Sequence, residues 1–272
     1  MKKKIAVLLT LALTLTSIFA LTGCGSKDSD DKVIKVGATP APHAEVLEII
    51  KDNLEEEGYT LEIVEYNDYI LPNKAVTEGE LDANYFQHIS YLNNYNEENG
   101  TDLVSAGVIH YEPFALYAGK TSSIADLKSG AQIAVPNDGT NEGRALKLLE
   151  AQGLIKLNKD AGFLATKVDI VENPLNLEIV EMEAAQLPRV LADVDMAVIN
   201  GNYAIDGGLK LADAIAIEAG DSEAAQAYAN IVAVANGNEN SDKIKALVAA
   251  LQSDEVKEFM EKTYGGAVVP LF

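Results

Sequence analysis

The chain has 272 residues, 48% of them hydrophobic and 23% charged, with 21 basic against 42 acidic side chains and a formal net charge of −21. That acid excess repels phosphate backbones and anionic headgroups, which argues against binding nucleic acid or a membrane surface through charge. A lone cysteine, Cys24, excludes an intrachain disulfide, a thiolate metal cluster and a cysteine nucleophile in the folded part.

Lys2, Lys3 and Lys4 precede an apolar run over 5–21, and Leu21-Thr22-Gly23-Cys24 closes it with small residues before the cysteine. The pattern resembles a bacterial lipoprotein signal. It implies that residues 1–23 are a signal peptide and that Cys24 becomes the lipid-bearing first residue of a chain anchored on the extracytoplasmic face of the cell membrane. The run is short for a spanning helix, although an uncleaved anchor is the alternative. Residues 24–32 form the lipidated cysteine and a flexible tether, since Gly25-Ser26-Lys27-Asp28-Ser29-Asp30-Asp31 has nothing to bury. Without the signal, 18 basic residues face 42 acidic ones, a net charge of about −24. Roughly 240 residues remain, enough for one large or two ordinary domains.

In chain order, a strand over 33–39 leads to an amphipathic helix over 43–57, with apolar residues at Val46, Leu47, Ile49, Ile50 and Leu54 and a stop at Gly58. A second strand covers 61–66, a short helix 73–78, a third strand 83–86, and a polar helix 91–99. Strands over 104–111 and 114–118 bracket Glu112-Pro113. The β-α order then restarts with 123–128, a strand at 132–135, a helix carrying Arg144, and strands near 177–180 and 196–199 separated by a helix over 184–192. A strand over 231–235 and helices over 242–252 and 254–263 complete the chain. Repeated β-α order predicts α/β architecture, with mostly parallel sheets covered by helices.

The stretch around Arg144 has the outline of an anion site. Pro136-Asn137-Asp138-Gly139 ends the strand, Thr140 is a plausible N-cap, and Ala145, Leu146, Leu148 and Leu149 give the helix an apolar face until Gly153. Arg144 in the first turn stands beside unpaired backbone N–H groups, where a guanidinium grips both oxygens of a carboxylate. A solvated helix charge is the competing reading.

Two lobes, 33–111 plus 231–272 and 112–230, would enclose a cleft at the carboxyl ends of their strands, where ligands of such sheets sit. Thr39, 86–88, 137–144, 200–202 and Asn230 all fall at predicted strand ends. Each asparagine taken alone is more often a turn former, and only their convergence favours binding.

Several motifs carry a resemblance across the mature chain: Val36-Gly-Ala-Thr-Pro-Ala-Pro-His-Ala-Glu-Val-Leu47, Asn67-Asp-Tyr69, Asn84-Tyr-Phe-Gln-His88, Val135-Pro-Asn-Asp-Gly-Thr-Asn-Glu-Gly-Arg144, Gln186-Leu-Pro-Arg189 and Ala197-Val-Ile-Asn-Gly-Asn-Tyr203. Together they resemble the methionine-binding lipoproteins of the NlpA family, the substrate-binding proteins of methionine ABC importers. The resemblance implies a two-lobed type II periplasmic-binding-protein fold with a hinge and an interdomain ligand cleft. It also implies a methionine-type ligand, no cofactor, a monomer, and partnership with an ABC permease and its ATPase subunit.

On that resemblance Arg144 binds the ligand carboxylate and Asn141 shares it. Asn200, Asn202 and Asn230 offer oxygens to the ammonium, and Tyr69, Phe86, His88 and Tyr91 wall the thioether. The sequence departs from the family at Pro113-Phe-Ala-Leu-Tyr117, where a glycine more often precedes the hydrophobic residue and tyrosine.

Two other classes compete with a non-catalytic receptor. A metal-binding receptor would use His43, His88 and His110, whose spacing has no ligand signature. A carboxylate-based hydrolase has acids enough but no marked pair, and no G-x-S-x-G, H-E-x-x-H or G-x-x-x-x-G-K-[ST] motif is present. Replacing Cys24 is expected to shift the protein from the membrane to the soluble fraction with ligand affinity unchanged, as fractionation and calorimetry of the two forms would read.

Overall fold

A computed structural model describes residues 32–220 and 226–272. The expected signal peptide, Cys24 and the tether up to residue 31 lie outside the described residues. The first half runs β1 (Val33–Ala38), α1 (Glu45–Ile49), α2 (Lys51–Glu56), β2 (Thr60–Glu65), α3 (Leu71–Thr77), β3 (Ala83–His88), α4 (Ile89–Asn99) and β4 (Val104–Tyr111). There follow β5 (Ala115–Ala118), β6 (Gln132–Pro136), α5 (Gly139–Ala151), β7 (Lys156–Leu157), β8 (Ile170–Glu172), β9 (Glu178–Met182), α6 (Leu187–Val190), β10 (Met196–Ile199), α7 (Gly201–Asp206) and β11 (Ala216–Ile217). The chain ends with β12 (Ala229–Val234), α8 (Asp242–Leu251), α9 (Asp254–Tyr264) and β13 (Val269–Pro270).

These strands form two larger sheets, of order β13-β4-β12-β3-β1-β2 and β11-β5-β10-β6-β9. Within the first, β1 and β3 are parallel, while β12 runs antiparallel to both β3 and β4. In the second, β6 is parallel to β9 and β10, and β5 is antiparallel to β10. The sheets are therefore mixed rather than mostly parallel. The reversal has a topological cause: β5 and β12 are the first strands after the chain passes from one sheet to the other, at 112–114 and again between Ile217 and Ala229. Both sheets lie within one compact unit, Ile34–Phe272.

Both faces of each sheet are covered, so the central strands read as unbroken apolar runs. Ile133 and Val135 of β6 face one core cluster while Ala134 between them faces another. On β12, Val232 and Val234 pack with Leu47, Leu54 and Leu247, whereas Ile231 and Ala233 pack with Leu81 and Leu92. No helix among the described residues is long and apolar enough to cross a membrane.

Some boundaries differ from expectation. The helix expected over 43–57 breaks at Ile50, whose φ and ψ of −94° and 2° interrupt the regular turn. That expected over 184–192 is a short α-helical stretch flanked by tighter turns. β12 starts at Ala229, two residues early, because Ala229 and Asn230 pair with Tyr111 and His110 of β4.

Close approach of backbones fixes one position beside the site. An added Cβ at Gly143 would lie 2.3 Å from the Phe163 carbonyl oxygen and 3.0 Å from the Ala165 nitrogen, neither of which is a flexible side-chain end. Gly143→Ala is therefore expected to destabilise the fold by about 1–3 kcal/mol, measured as a lower urea midpoint; an unchanged midpoint would show that this segment yields freely.

Candidate functional site

The site is built outward from Asp138. Its carboxylate, which can only accept, takes the Asn141 backbone N–H at 3.0 Å and an N–H of the Asn141 amide shared between its two oxygens, at 2.9 and 3.0 Å. Asp138, not Thr140, is thus the N-cap of α5. A carboxylate that satisfies both backbone and side chain wins over a hydroxyl, and Thr140 donates its own hydroxyl to Asp138 at 3.2 Å. The shift moves Arg144 into the second helical turn, so its place beside the cleft comes from the helix face rather than from the first-turn N–H groups.

Asp138 also sets the direction of the neighbouring amides. With its nitrogen committed, Asn141 turns its oxygen toward His88 Nε2 at 3.2 Å and the Asn200 amide nitrogen at 2.9 Å. The Asn200 oxygen is then left buried with no partner among the described residues. The Tyr69 hydroxyl donates to the Asn202 oxygen at 2.5 Å, and the Asn202 nitrogen is likewise buried and without a partner among the described residues. Asn230 gives its oxygen to His43 Nε2 at 3.2 Å. Of the three asparagine oxygens expected for an ammonium, two are engaged within the protein and that of Asn200 is open. Asn141, expected to share a carboxylate, has its oxygen and one amide N–H engaged by its neighbours.

The aromatic side chains meet at Tyr69, whose ring centroid lies 5.7 Å from Phe86, 5.8 Å from Tyr91 and 4.8 Å from Tyr203. His88 caps α4, its Nδ1 accepting the Tyr91 backbone N–H at 3.0 Å, so the proton must sit on Nε2, which donates to Asn141. Burial, with the positive charge of Arg144 adding to it, pushes the His88 pKa down to about 3. The ring is neutral at physiological pH.

Arg144 is only 4% exposed, which removes the solvated-charge reading. Its guanidinium lies 4.1 Å from the Tyr228 ring and 4.8 Å from that of Phe114. Nε meets the two Glu218 oxygens at 2.9 and 3.1 Å, and Nη2 reaches Glu218 at 2.6 Å and the Glu112 carbonyl at 2.9 Å. Among the described residues, Nη1 has no hydrogen-bond partner. Glu218 is steadied by the Tyr111 hydroxyl at 2.6 Å.

His43, His110 and Glu112 present three atoms of metal-ligand type within 4.8 Å of one another, all buried. His88 is not part of that group. Every imidazole nitrogen in it already has a partner: Thr39 and Asn230 for His43, Tyr85 and Glu112 for His110.

All nine expected ligand-binding residues, Tyr69, Phe86, His88, Tyr91, Asn141, Arg144, Asn200, Asn202 and Asn230, line one cleft with about 340 Å³ of free space between its walls, part of it open to solvent. Gln87, Glu112 and Gly201 line it too, and sequence reasoning passed over them. Glu112 follows strand β4 directly, so the strand-end rule that marked Asn200 marks it equally. Glu218 follows a two-residue strand and carries no such signal.

A family profile described as NlpA lipoprotein matches residues 34–272. The chain belongs to the NlpA lipoprotein family. Among similar proteins, the D-methionine-binding lipoprotein MetQ of Salmonella typhimurium is 44% identical over 259 residues, 94% of each chain. A solved putative lipoprotein from Ruminococcus gnavus is 56% identical with a TM-score of 0.87, covering 89% of this chain and 100% of its own. A nutrient binding protein from Burkholderia cenocepacia, solved bound to methionine, is 47% identical with a TM-score of 0.84, covering 88% and 100%. The fold is the two-lobed α/β architecture that the family shares with periplasmic substrate-binding proteins.

Neutral buried histidines make stability depend on pH. Burial also lowers the His43 pKa to about 4, against an unfolded value of 6.5. As pH falls below 6.5 the unfolded chain takes up protons that the folded chain refuses, so each of His43 and His88 removes about 1.4 kcal/mol of stability per pH unit. The melting temperature is expected to fall as pH drops from 6.5 to 4.5, more gently in a His43→Asn variant; a flat profile in both would show that the folded histidines titrate freely.

Proposed function

We propose that the cleft captures methionine, or a close methionine derivative, and that the chain hands it to an ABC importer as a non-catalytic receptor. An amino acid zwitterion needs donors for its carboxylate and acceptors for its ammonium. Among the described residues, the Asn202 amide nitrogen is a buried donor and the Asn200 oxygen a buried acceptor without partners, and Arg144 Nη1 adds a charged donor edge beside them. That pairing of opposite, unsatisfied groups in one buried cleft is the observation that carries the reading, because native proteins seldom leave such atoms alone.

Beside them, the Tyr69, Phe86 and Tyr91 rings offer the polarizable apolar wall that a thioether favours. The methionine bound in the 47% identical Burkholderia protein supports the same ligand here. The relatives' description as lipoproteins supports a lipid on Cys24 and a place on the outer face of the membrane. A separate permease and its ATPase subunit would supply transport and energy.

Calorimetry of the unlipidated chain with L-methionine tests the reading: saturable heat and a raised melting temperature are expected, and neither at millimolar ligand would end it. Zinc or manganese raising the melting temperature while methionine does nothing would favour the metal receptor instead. Arg144→Ala is expected to weaken binding by about 2–5 kcal/mol, the cost of leaving a buried carboxylate without its charged partner. Since Glu218 loses the same partner, circular dichroism at the binding temperature is the check that the variant remains folded. Wild-type affinity in that variant would place the ligand carboxylate elsewhere.

A further inference from the structure

The segment that carries the chain from β4 into the second sheet begins with Glu112, a residue only 5% exposed that lines the cleft beside Asn200 and Gly201. Two imidazoles back it. His110 Nε2 donates to Oε1 at 2.8 Å, and His43 Nε2 stands 3.4 Å from the same oxygen. Each ring is pinned on its far side by a hydroxyl, Tyr85 at 2.6 Å from His110 Nδ1 and Thr39 at 2.7 Å from His43 Nδ1. Because the Asn230 oxygen facing His43 Nε2 only accepts, that nitrogen carries the proton, and His43 Nδ1 accepts from Thr39.

The second oxygen has a different environment. An added Cβ at Gly201 would lie 2.8 Å from Oε2, so the missing side chain is what lets this carboxylate lie against the cleft wall at the start of α7. Burial opposes the charge on Glu112, yet the His110 hydrogen bond, the nearby His43 and His110 rings and the Asn202 backbone N–H together hold its pKa below the usual carboxylate range. Among the described residues its only basic neighbours within 4.0 Å are those imidazoles. Arg144, the cation of the cleft, is already matched by Glu218 at 2.6 Å.

An anion held in place by two rings and facing the cleft is an element of selection as well as attraction. We propose that Glu112 reads the free primary α-ammonium of the ligand, so that the cleft takes α-amino acids and rejects α-hydroxy and N-acyl acids bearing the same side chain. A zwitterion sets its positive end against Glu112 while its carboxylate meets the open edge of Arg144. The α-hydroxy analogue brings only its negative charge to a cleft whose carboxylates already balance or exceed its guanidinium, and it leaves Glu112 without a charged partner. The N-acyl analogue fails for the same reason and adds bulk where the ammonium should lie.

The inference rests on the methionine reading, and the test keeps the two apart. Calorimetry on the unlipidated chain compares L-methionine, its α-hydroxy analogue 2-hydroxy-4-(methylthio)butanoate, and N-acetyl-L-methionine. Wild-type protein is expected to bind both analogues at least about 30-fold more weakly than methionine, the lower end of what an unpaired buried charge costs. Glu112→Gln should weaken methionine by a similar factor and bring methionine and the hydroxy acid to within about threefold of each other, because a neutral amide has no preference between the two charge patterns. If wild-type protein binds the hydroxy acid as tightly as methionine, the proposal fails whether or not the variant folds. A folded Glu112→Gln variant that keeps the full discrimination overturns it too, while leaving the methionine reading standing. Absence of methionine binding to wild-type protein overturns both.

Discussion

Everything in the cleft depends on the buried guanidinium of Arg144 being matched before any ligand is considered. A charge that is 4% exposed is costly unless paired and hydrogen-bonded, and Glu218 supplies both through three contacts of 2.6 to 3.1 Å. The Tyr228 and Phe114 rings fix the plane of the group. Because Glu218 takes the Nε side and the Glu112 carbonyl takes part of Nη2, only the Nη1 edge is available for another anion. The arginine can therefore be both a structural ion pair and a recognition group, with different edges of one planar fork doing the two jobs.

A second constraint is the fixed direction of the asparagine amides. Asp138 orients Asn141, Asn141 orients Asn200 and His88, and the tautomer of His88 follows from its cap on α4. Such a chain of donors and acceptors has one consistent arrangement, which pre-organises the open acceptor on Asn200 without a charged group of its own. The histidines belong to the same logic. Low pKa values at His43 and His88 follow from burial in a network that wants one donor and one acceptor per ring, and His43 and His110 spend both ring nitrogens on hydrogen bonds.

Much of this was legible in the chain. The α/β order, the apolar strands β6, β10 and β12 and the helix after Pro136-Asn137-Asp138-Gly139 follow from patterning that both faces of a covered sheet impose. Strand ends pointed to residues from both sheets that line one cleft. What escaped was of two kinds. Antiparallel strands β5 and β12 depend on where the chain returns from one sheet to the other, which no local pattern encodes, and so the start of β12 at Ala229 was missed. The direction of each amide, the choice of Asp138 over Thr140 as cap, and the pairing of Arg144 with Glu218, 74 residues away, are decided by tertiary neighbours. Glu112 stood in plain view beside Pro113 and was passed over because its partners, His43 and His110, are brought to it only by the first sheet.

The two passages between the sheets have an implication for motion. Glu112 opens the first and Glu218 lies in the second, so both acids of the cleft sit on the very segments that any rotation of one sheet against the other must bend. Occupancy and shape are then mechanically linked. On the proposed function, a molecule that engages the carboxylate of Glu112 and the arginine held by Glu218 would tie both straps at once, and a docking partner would read the angle between the two sheets rather than a local rearrangement.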